Sequence, residues 1–211
     1  MNNVTTVIQR PIISSLDGIT FEFSTEKFLL NQYYELREKC YRNDLMLPNF
    51  SGEPDIYDTT GNIFIARKDD VVIGGARMNI SSPNERIILP LEEDGFIMQQ
   101  LFPELHLENK SYFETSRFVV DYLYRSHNLV CSKITASVAK KAIQNGCEYQ
   151  FSISPVLSAR NTKKICNNLG MKHEILTDIK VPIKPIYSGL NRLGIYLSIT
   201  YLTEFAKRRA A

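Results

Sequence analysis

The stretch SYFETSRFVVDYLY, residues 111–124, limits what this chain can fold into more than any other. Its large residues, Phe113, Val119 and Tyr122 among them, ask for a strand, yet Glu114 and Arg117 stand inside it. A strand turns successive side chains to opposite faces, so Glu114 and Ser116 are expected on one face and Thr115 and Arg117 on the other. A charge set among Phe113, Phe118, Val119 and Val120 is partly buried. Burial without a partner costs several kcal/mol, so the fold has to supply partners. One source is EPDIYD, residues 53–58, where Glu53, Asp55 and Asp58 gather with no cation between them. Arg37, Arg77 and Arg117 are the matching cations, because a guanidinium fork meets a carboxylate through two parallel hydrogen bonds.

The rest of the chain reads as a frame for these charges. Residues 19–24, ITFEFS, alternate as a half-buried strand does. From Thr25-Glu26-Lys27 a helical pattern runs through Phe28, Leu29, Tyr33, Leu36, Cys40 and Tyr41, until Pro48, Gly52 and Pro54 break it. A hairpin follows: Ile63 to Arg67, a turn at Lys68-Asp69-Asp70, then Val71 to Ile80, with Gly74-Gly75 marking a bulge or a close approach. Residues 83–95 read as a loop and 96–105 as a short helix. SKITASVAKKAIQNG is a helix capped by Ser132 and stopped by Gly146, and CEYQFSISP is a strand ended by Pro155. SARNTKKICNNLGMK is a helix stopped by Gly170. KHEILTDIKVPI and GIYLSITYL are two closing strands. The fold class is α/β (α+β), with helices flanking a mixed, mostly antiparallel sheet in one domain over 1–211.

Composition narrows the function classes. The net charge is +2 and no long Lys/Arg run or basic stripe with aromatics appears, so no nucleic-acid partner is expected. Cys40, Cys131, Cys147 and Cys166 form no C-x-x-C pair and no His stands at ligand spacing from them, so they read as buried reduced thiols and no metal is expected. No stretch approaches the ~20 apolar residues of a membrane span. The first eighteen residues lack the basic start and apolar run of a signal peptide. A cytoplasmic location is the expectation.

Four short motifs, in order, resemble the acyl-homoserine lactone synthases, the bacterial autoinducer synthases. They are Arg37-Glu38-Lys39-Cys40-Tyr41, Glu53-Pro54-Asp55-Ile56-Tyr57-Asp58, Gly74-Gly75-Ala76-Arg77 and Glu114-Thr115-Ser116-Arg117-Phe118. The resemblance implies the GNAT acyltransferase fold, with two central strands splayed apart. It implies transfer of a fatty acyl group from the phosphopantetheine thioester of acyl-carrier protein to the amine of S-adenosylmethionine. Both are substrates, and no tightly bound cofactor is implied. The chain departs from the pattern where that family binds S-adenosylmethionine: it has no Trp, Tyr41 replaces Phe, and Met78-Asn79-Ile80 replaces Leu-Pro-Thr. LPLEED, residues 89–94, looks like the related N-acyl amino acid synthases, so a free amino acid is the alternative acceptor.

The resemblance also assigns roles. Glu114, and after it Glu53, is the candidate base that takes a proton from the amine. Asp55 and Asp58 would hold Arg77 and Arg117 and give the amine a negative wall. Arg37 would bind the substrate's carboxylate, with Tyr41 and Phe118 beside it. Backbone N–H groups of residues 118–121, facing 151–154, would stabilise the oxyanion. Phe113, Phe118, Phe151 and Ile153 would line an acyl channel. Because a carrier protein is acidic, Lys133, Lys140, Lys141, Arg160, Lys163 and Lys164 are the candidate docking residues. Two other classes remain: a coenzyme A-dependent acetyltransferase, although YLYRSHNLVCSK (122–133) lacks the glycines of its pyrophosphate loop, and a binding module without turnover.

Overall fold

Three of the seven strands follow from the alternating segment at 19–24 and the hairpin after it. The computed structural model describes residues 15–203. Along the chain run β1 (Ile19–Phe23), α1 (Lys27–Asp44), α2 (Ile56–Thr60), β2 (Asn62–Lys68), β3 (Val71–Ser81), α3 (Met98–Leu101) and β4 (Ser111–Val120). They are followed by α4 (Leu129–Gln144), β5 (Cys147–Pro155), α5 (Val156–Asn168), β6 (Lys172–Leu176) and β7 (Ile195–Tyr201). The strands form one sheet in the order β1-β2-β3-β4-β5-β7-β6. Every neighbouring pair is antiparallel except β4 and β5. That pair is parallel because α4 carries the chain back between them, as a parallel connection requires.

The parallel pair is short. Its ladder runs from Ser111 opposite Cys147 to Glu114 opposite Phe151. Beyond that rung β4 continues to Val120 and β5 to Pro155 without pairing to each other. Both helices that follow these strands start at this open end.

Alternation along β2 shows the two faces of the sheet. Phe64 and Ala66 pack with Val130, Ile134, Val138 and Ala142 of α4 and Ile165 of α5. Ile63 and Ile65 pack on the opposite face with Leu29, Tyr33 and Leu36 of α1. On that second face, residues 89–107 lay Leu89, Leu91, Met98 and Phe102 over Tyr112, Phe151 and Leu197. All four cysteines are buried free thiols.

The structure differs from the pattern reading at several points. Helix α4 begins at Leu129, so Ser132 lies inside it and caps nothing; Asn128, in the left-handed region, precedes it. Pro103 divides residues 96–105 into α3 and a single 3-10 turn. The segment after β6 leaves the sheet at Leu176 and returns only at Ile195, passing through 3-10 turns over Pro185–Leu193. Gly146 and Gly170 end their helices as expected, at φ of +74° and +79°.

The largest difference is in β4. Arg77 faces Ser116 and Gly75 faces Val119, so Ala76 alone opposes Arg117 and Phe118. This is a β-bulge, with Arg117 at φ +55°. The Tyr33 hydroxyl on α1 donates to the Arg117 carbonyl at 2.8 Å and holds the bulge from above. The Tyr33 ring crosses Gly75 so closely that a Cβ there would stand 2.8 Å from a ring carbon, which explains that glycine. The bulge interrupts the alternation and turns the Arg117 side chain to the face that carries Glu114 and Ser116.

Candidate active site

The acidic segment forms its own short helix. Asp55 accepts from the N–H groups of Tyr57 and Asp58, and the Asp58 side chain accepts from the N–H of Asp55. This reciprocal cap fixes both carboxylates at the start of α2. It was legible as a D-x-x-D spacing, but the prolines around it obscured the helix.

Three arginines close on these two carboxylates. Arg37 is completely buried and binds both oxygens of Asp58 at 3.0 Å. Its other amino group donates to the carbonyls of Gly52 and Glu53 at 2.6 and 2.7 Å. Arg77, from β3, bridges Asp55 at 2.5 Å and Asp58 at 3.2 Å, and its Nε donates to Ser116. Arg117 donates to the second oxygen of Asp55 at 3.1 Å and lies over the rings of Tyr41, Phe50 and Tyr187. Burial alone would raise the pKa of Asp55, but Arg77, Arg117 and the cap bond from Tyr57 outweigh it and hold the carboxyl below its usual range.

Glu114 sits beside this cluster, 4% exposed, at the last rung of the β4–β5 ladder. One of its oxygens accepts the Leu91 N–H at 2.7 Å. Burial pushes its pKa up to about 7, with Glu92 adding to the effect and Leu91, Arg77 and Arg117 opposing it. Its carboxyl is therefore poised near neutrality, where a proton can be taken and returned.

A cavity of about 590 Å³ opens at this point and passes through the parted sheet. On one side it is walled by Asp55, Tyr57, Arg77, Glu114, Arg117 and Lys184. On the other it runs past the side chains of Gln150, Ser152 and Ser154 towards Ser158, Asn161 and Thr162 on α5. Lys184 carried no sequence signal, since it lies in the irregular segment between β6 and β7. It forms an ion pair with Glu93 and donates to the Pro90 carbonyl at 3.2 Å.

The structure thus brings together Asp55, Arg77, Glu114, Arg117, Tyr41 and Phe118 on one cavity. Asp58 lies directly behind them. Several assignments are corrected. Arg37 does not reach the cavity: its paired nitrogens are spent on Asp58 and two carbonyls, and it anchors the 52–58 segment. Glu53 is exposed and lines a separate depression on the outer side of α1, away from Glu114. Of the four residues given to an acyl channel, Phe118 and Ile153 line the cavity, whereas Phe113 and Phe151 fill cores on opposite faces of the sheet. Among residues 118–121, the Asp121 N–H is already donated to Ile73 at 2.8 Å, so it is no oxyanion donor. Alternation from Asp121 turns the Val120 N–H towards the gap instead.

The basic residues on α4 and α5 are split by position. Lys133, Lys140, Arg160, Lys163 and Lys164 are exposed and Lys141 is partly so. Lys133 and Arg160 lie near the helix starts, at the open end of the sheet. Lys140 and Lys141 lie in the last turns of α4, roughly 11 Å beyond Lys133 along the helix at its standard rise, and Lys141 rests over Phe23 of β1. These two are not at the mouth of the cavity.

No protein-family model matches the chain, and no curated protein matches its sequence. Solved structures do match. FeeM, an N-acyl amino acid synthase from uncultured soil microbes, is 12% identical with a TM-score of 0.60, over 90% of this chain and 93% of its own. BjaI, a coenzyme A-dependent acyl-homoserine lactone synthase solved with S-adenosylmethionine and isopentyl-CoA, is 16% identical with a TM-score of 0.55, over 85% and 81%. An acetyltransferase of the GNAT family from Staphylococcus aureus is 13% identical with a TM-score of 0.52, over 87% and 99%. The fold is that of the GNAT acyltransferases.

Proposed function

We propose that this protein is an N-acyltransferase that moves a fatty acyl group from a thioester to the amine of a small molecule. One observation carries the reading: Glu114, a buried carboxylate poised near pH 7, stands where the sheet parts and a cavity passes through it. The motif resemblance and the folds of the matching structures support it.

The steps follow from the chain's own groups. An ammonium enters beside Asp55, whose negative charge favours it. Glu114 takes one proton, because only the free amine is nucleophilic. The nitrogen forms a bond to the thioester carbonyl carbon. Charge gathers on the carbonyl oxygen, which the gap-facing N–H of Val120 is placed to receive. The C–S bond then breaks, and a second proton from the nitrogen goes to the departing thiolate. Glu114 releases its own proton to water. The donor's arm carries amide and hydroxyl groups that suit the polar wall of Gln150, Ser152, Ser154 and Asn161.

The donor is proposed to be an acyl-carrier protein, approaching the helix starts that bear Lys133 and Arg160. The first acceptor reading is S-adenosylmethionine, giving an acyl-homoserine lactone and methylthioadenosine. A specific observation favours the second, a free amino acid. The positions that follow the strand arginine do not line the cavity here: Met78 is buried in the core against α4, and the Asn79 side chain donates to the Tyr57 carbonyl. Mass spectrometry of lipid extracts from cells expressing the protein, set against a Glu114→Gln control, tests the reading. An acyl-homoserine lactone accompanied by methylthioadenosine selects the first acceptor and an acyl amino acid the second. No new acylated amine in either extract removes the activity.

A further inference from the structure

The amine acceptors considered above carry a carboxylate, and the arginines of the motifs are poorly placed to receive it. Arg37 is sealed behind α2. Arg77 is 2% exposed and divided between Asp55, Asp58 and Ser116. Arg117 lines the cavity but is bound to Asp55 and covered by three aromatic rings, and its second amino group, though unpartnered, is buried. Lys184 is different. It shares the cavity wall with Asp55 and Glu114, and a third of its side chain is exposed. An ammonium has three N–H donors. Two meet Glu93 and the Pro90 carbonyl, and among the described residues the third has no assigned partner.

One peptide group sets the distance from Lys184 to the candidate base. The Leu91 N–H donates to Glu114 at 2.7 Å, and the Pro90 carbonyl, on the opposite side of the same peptide, accepts from Lys184 at 3.2 Å. The two side chains therefore stand no more than about 8 Å apart, given standard peptide dimensions. An α-amino acid hydrogen-bonded at both ends, carboxylate to ammonium and ammonium to carboxylate, spans about the same length. We propose that Lys184 is the receptor for the acceptor's α-carboxylate, and that it sets the requirement for an amine that carries one. The inference rests on the N-acyltransfer reading. Partial burial pulls the Lys184 ammonium below its usual range, with Asp55 opposing, and an arriving carboxylate would add a further anion that favours the charged form.

The test supplies wild type with decanoyl-loaded carrier protein or decanoyl-CoA. The acceptors are S-adenosylmethionine, the free amino acids, and the amino acid carboxamides. Wild type should prefer a carboxylate over its carboxamide about 10- to 100-fold, through KM rather than kcat. Lys184→Met should bring that preference close to one, and Lys184→Arg should restore part of it. Glu93→Gln should keep it, because only the ion pair across the cavity is lost. If Lys184→Met retains the preference, or Glu93→Gln abolishes it equally, Lys184 is a structural latch and the assignment is overturned. If wild type acylates no amine at all, the transfer reading fails. The same variants are then compared by ligand-observed NMR with the amino acid mixture. Carboxylate-dependent binding that disappears in Lys184→Met upholds the receptor, and binding indifferent to Lys184 or absent from wild type overturns it.

Discussion

Glu114 and Asp58 are both buried carboxylates, and their surroundings give them different tasks. Asp58 is bound by two guanidiniums and a backbone N–H, so it acts as a structural anchor. Among the described residues Glu114 has one backbone N–H and no direct ion pair, and burial dominates. Glu114→Gln should lower kcat at least about 100-fold while leaving the fold intact, as measured by steady-state assay beside circular dichroism. The rate of wild type should rise through about pH 7 as the carboxylate ionises. Stability should move the other way. The folded pKa lies above the unfolded value near 4.5, so the folded state holds its proton longer and loses stability as pH rises from about 4.5 to 7. Thermal melts across that window should show this decline, and Glu114→Gln should flatten it. The sequence showed that Glu114 and Arg117 were buried and needed partners. It did not show which arginine was spent where, because that depends on Gly52 and Glu53 presenting carbonyls to Arg37. Lys184 was invisible for a related reason: no periodicity marks a residue in an irregular segment.

At the scale of elements, the bulge in β4 decides the site. Strict alternation would have turned Arg117 away from Glu114, and the extra residue opposite Ala76 reverses that. A Gly-Gly pair on the neighbouring strand hinted at irregularity without saying which strand would bulge. Gly75→Ala should destabilise by about 1–3 kcal/mol, since the new methyl meets the Tyr33 ring and the Phe64 carbonyl, and urea unfolding would measure it. Tyr33→Phe removes the hydroxyl that holds the Arg117 carbonyl and should cost about 1 kcal/mol, with a larger loss of activity than of stability. Long periodic elements such as α1, β5 and α5 were read from pattern within a few residues. The start of α4 was not, because Leu129 and Val130 extend the helix ahead of its only apparent cap.

Across the whole molecule, Asp58 ties together α1, α2 and β3 through Arg37 and Arg77. Asp58→Asn would leave two buried guanidiniums short of a counter-charge. It should cost about 3–5 kcal/mol, a fall in Tm on the order of 10 °C for a chain of this size, readable by calorimetry. The same variant should also lower activity, since Asp58 fixes Asp55 and Arg77 in the cavity wall from behind. The order of the strands was not readable from the sequence. A mostly antiparallel sheet was, but only the structure shows β7 inserted between β5 and β6. The unzipped lower halves of β4 and β5 have one more consequence. Their backbone edges are not paired with each other, and on the proposed transfer reading a donor arm bearing amides would lie between them as a guest strand, bridging the two sides of the molecule. The protein would then be stiffest while loaded and loosest after release, so its melting temperature would report whether that guest strand is in place.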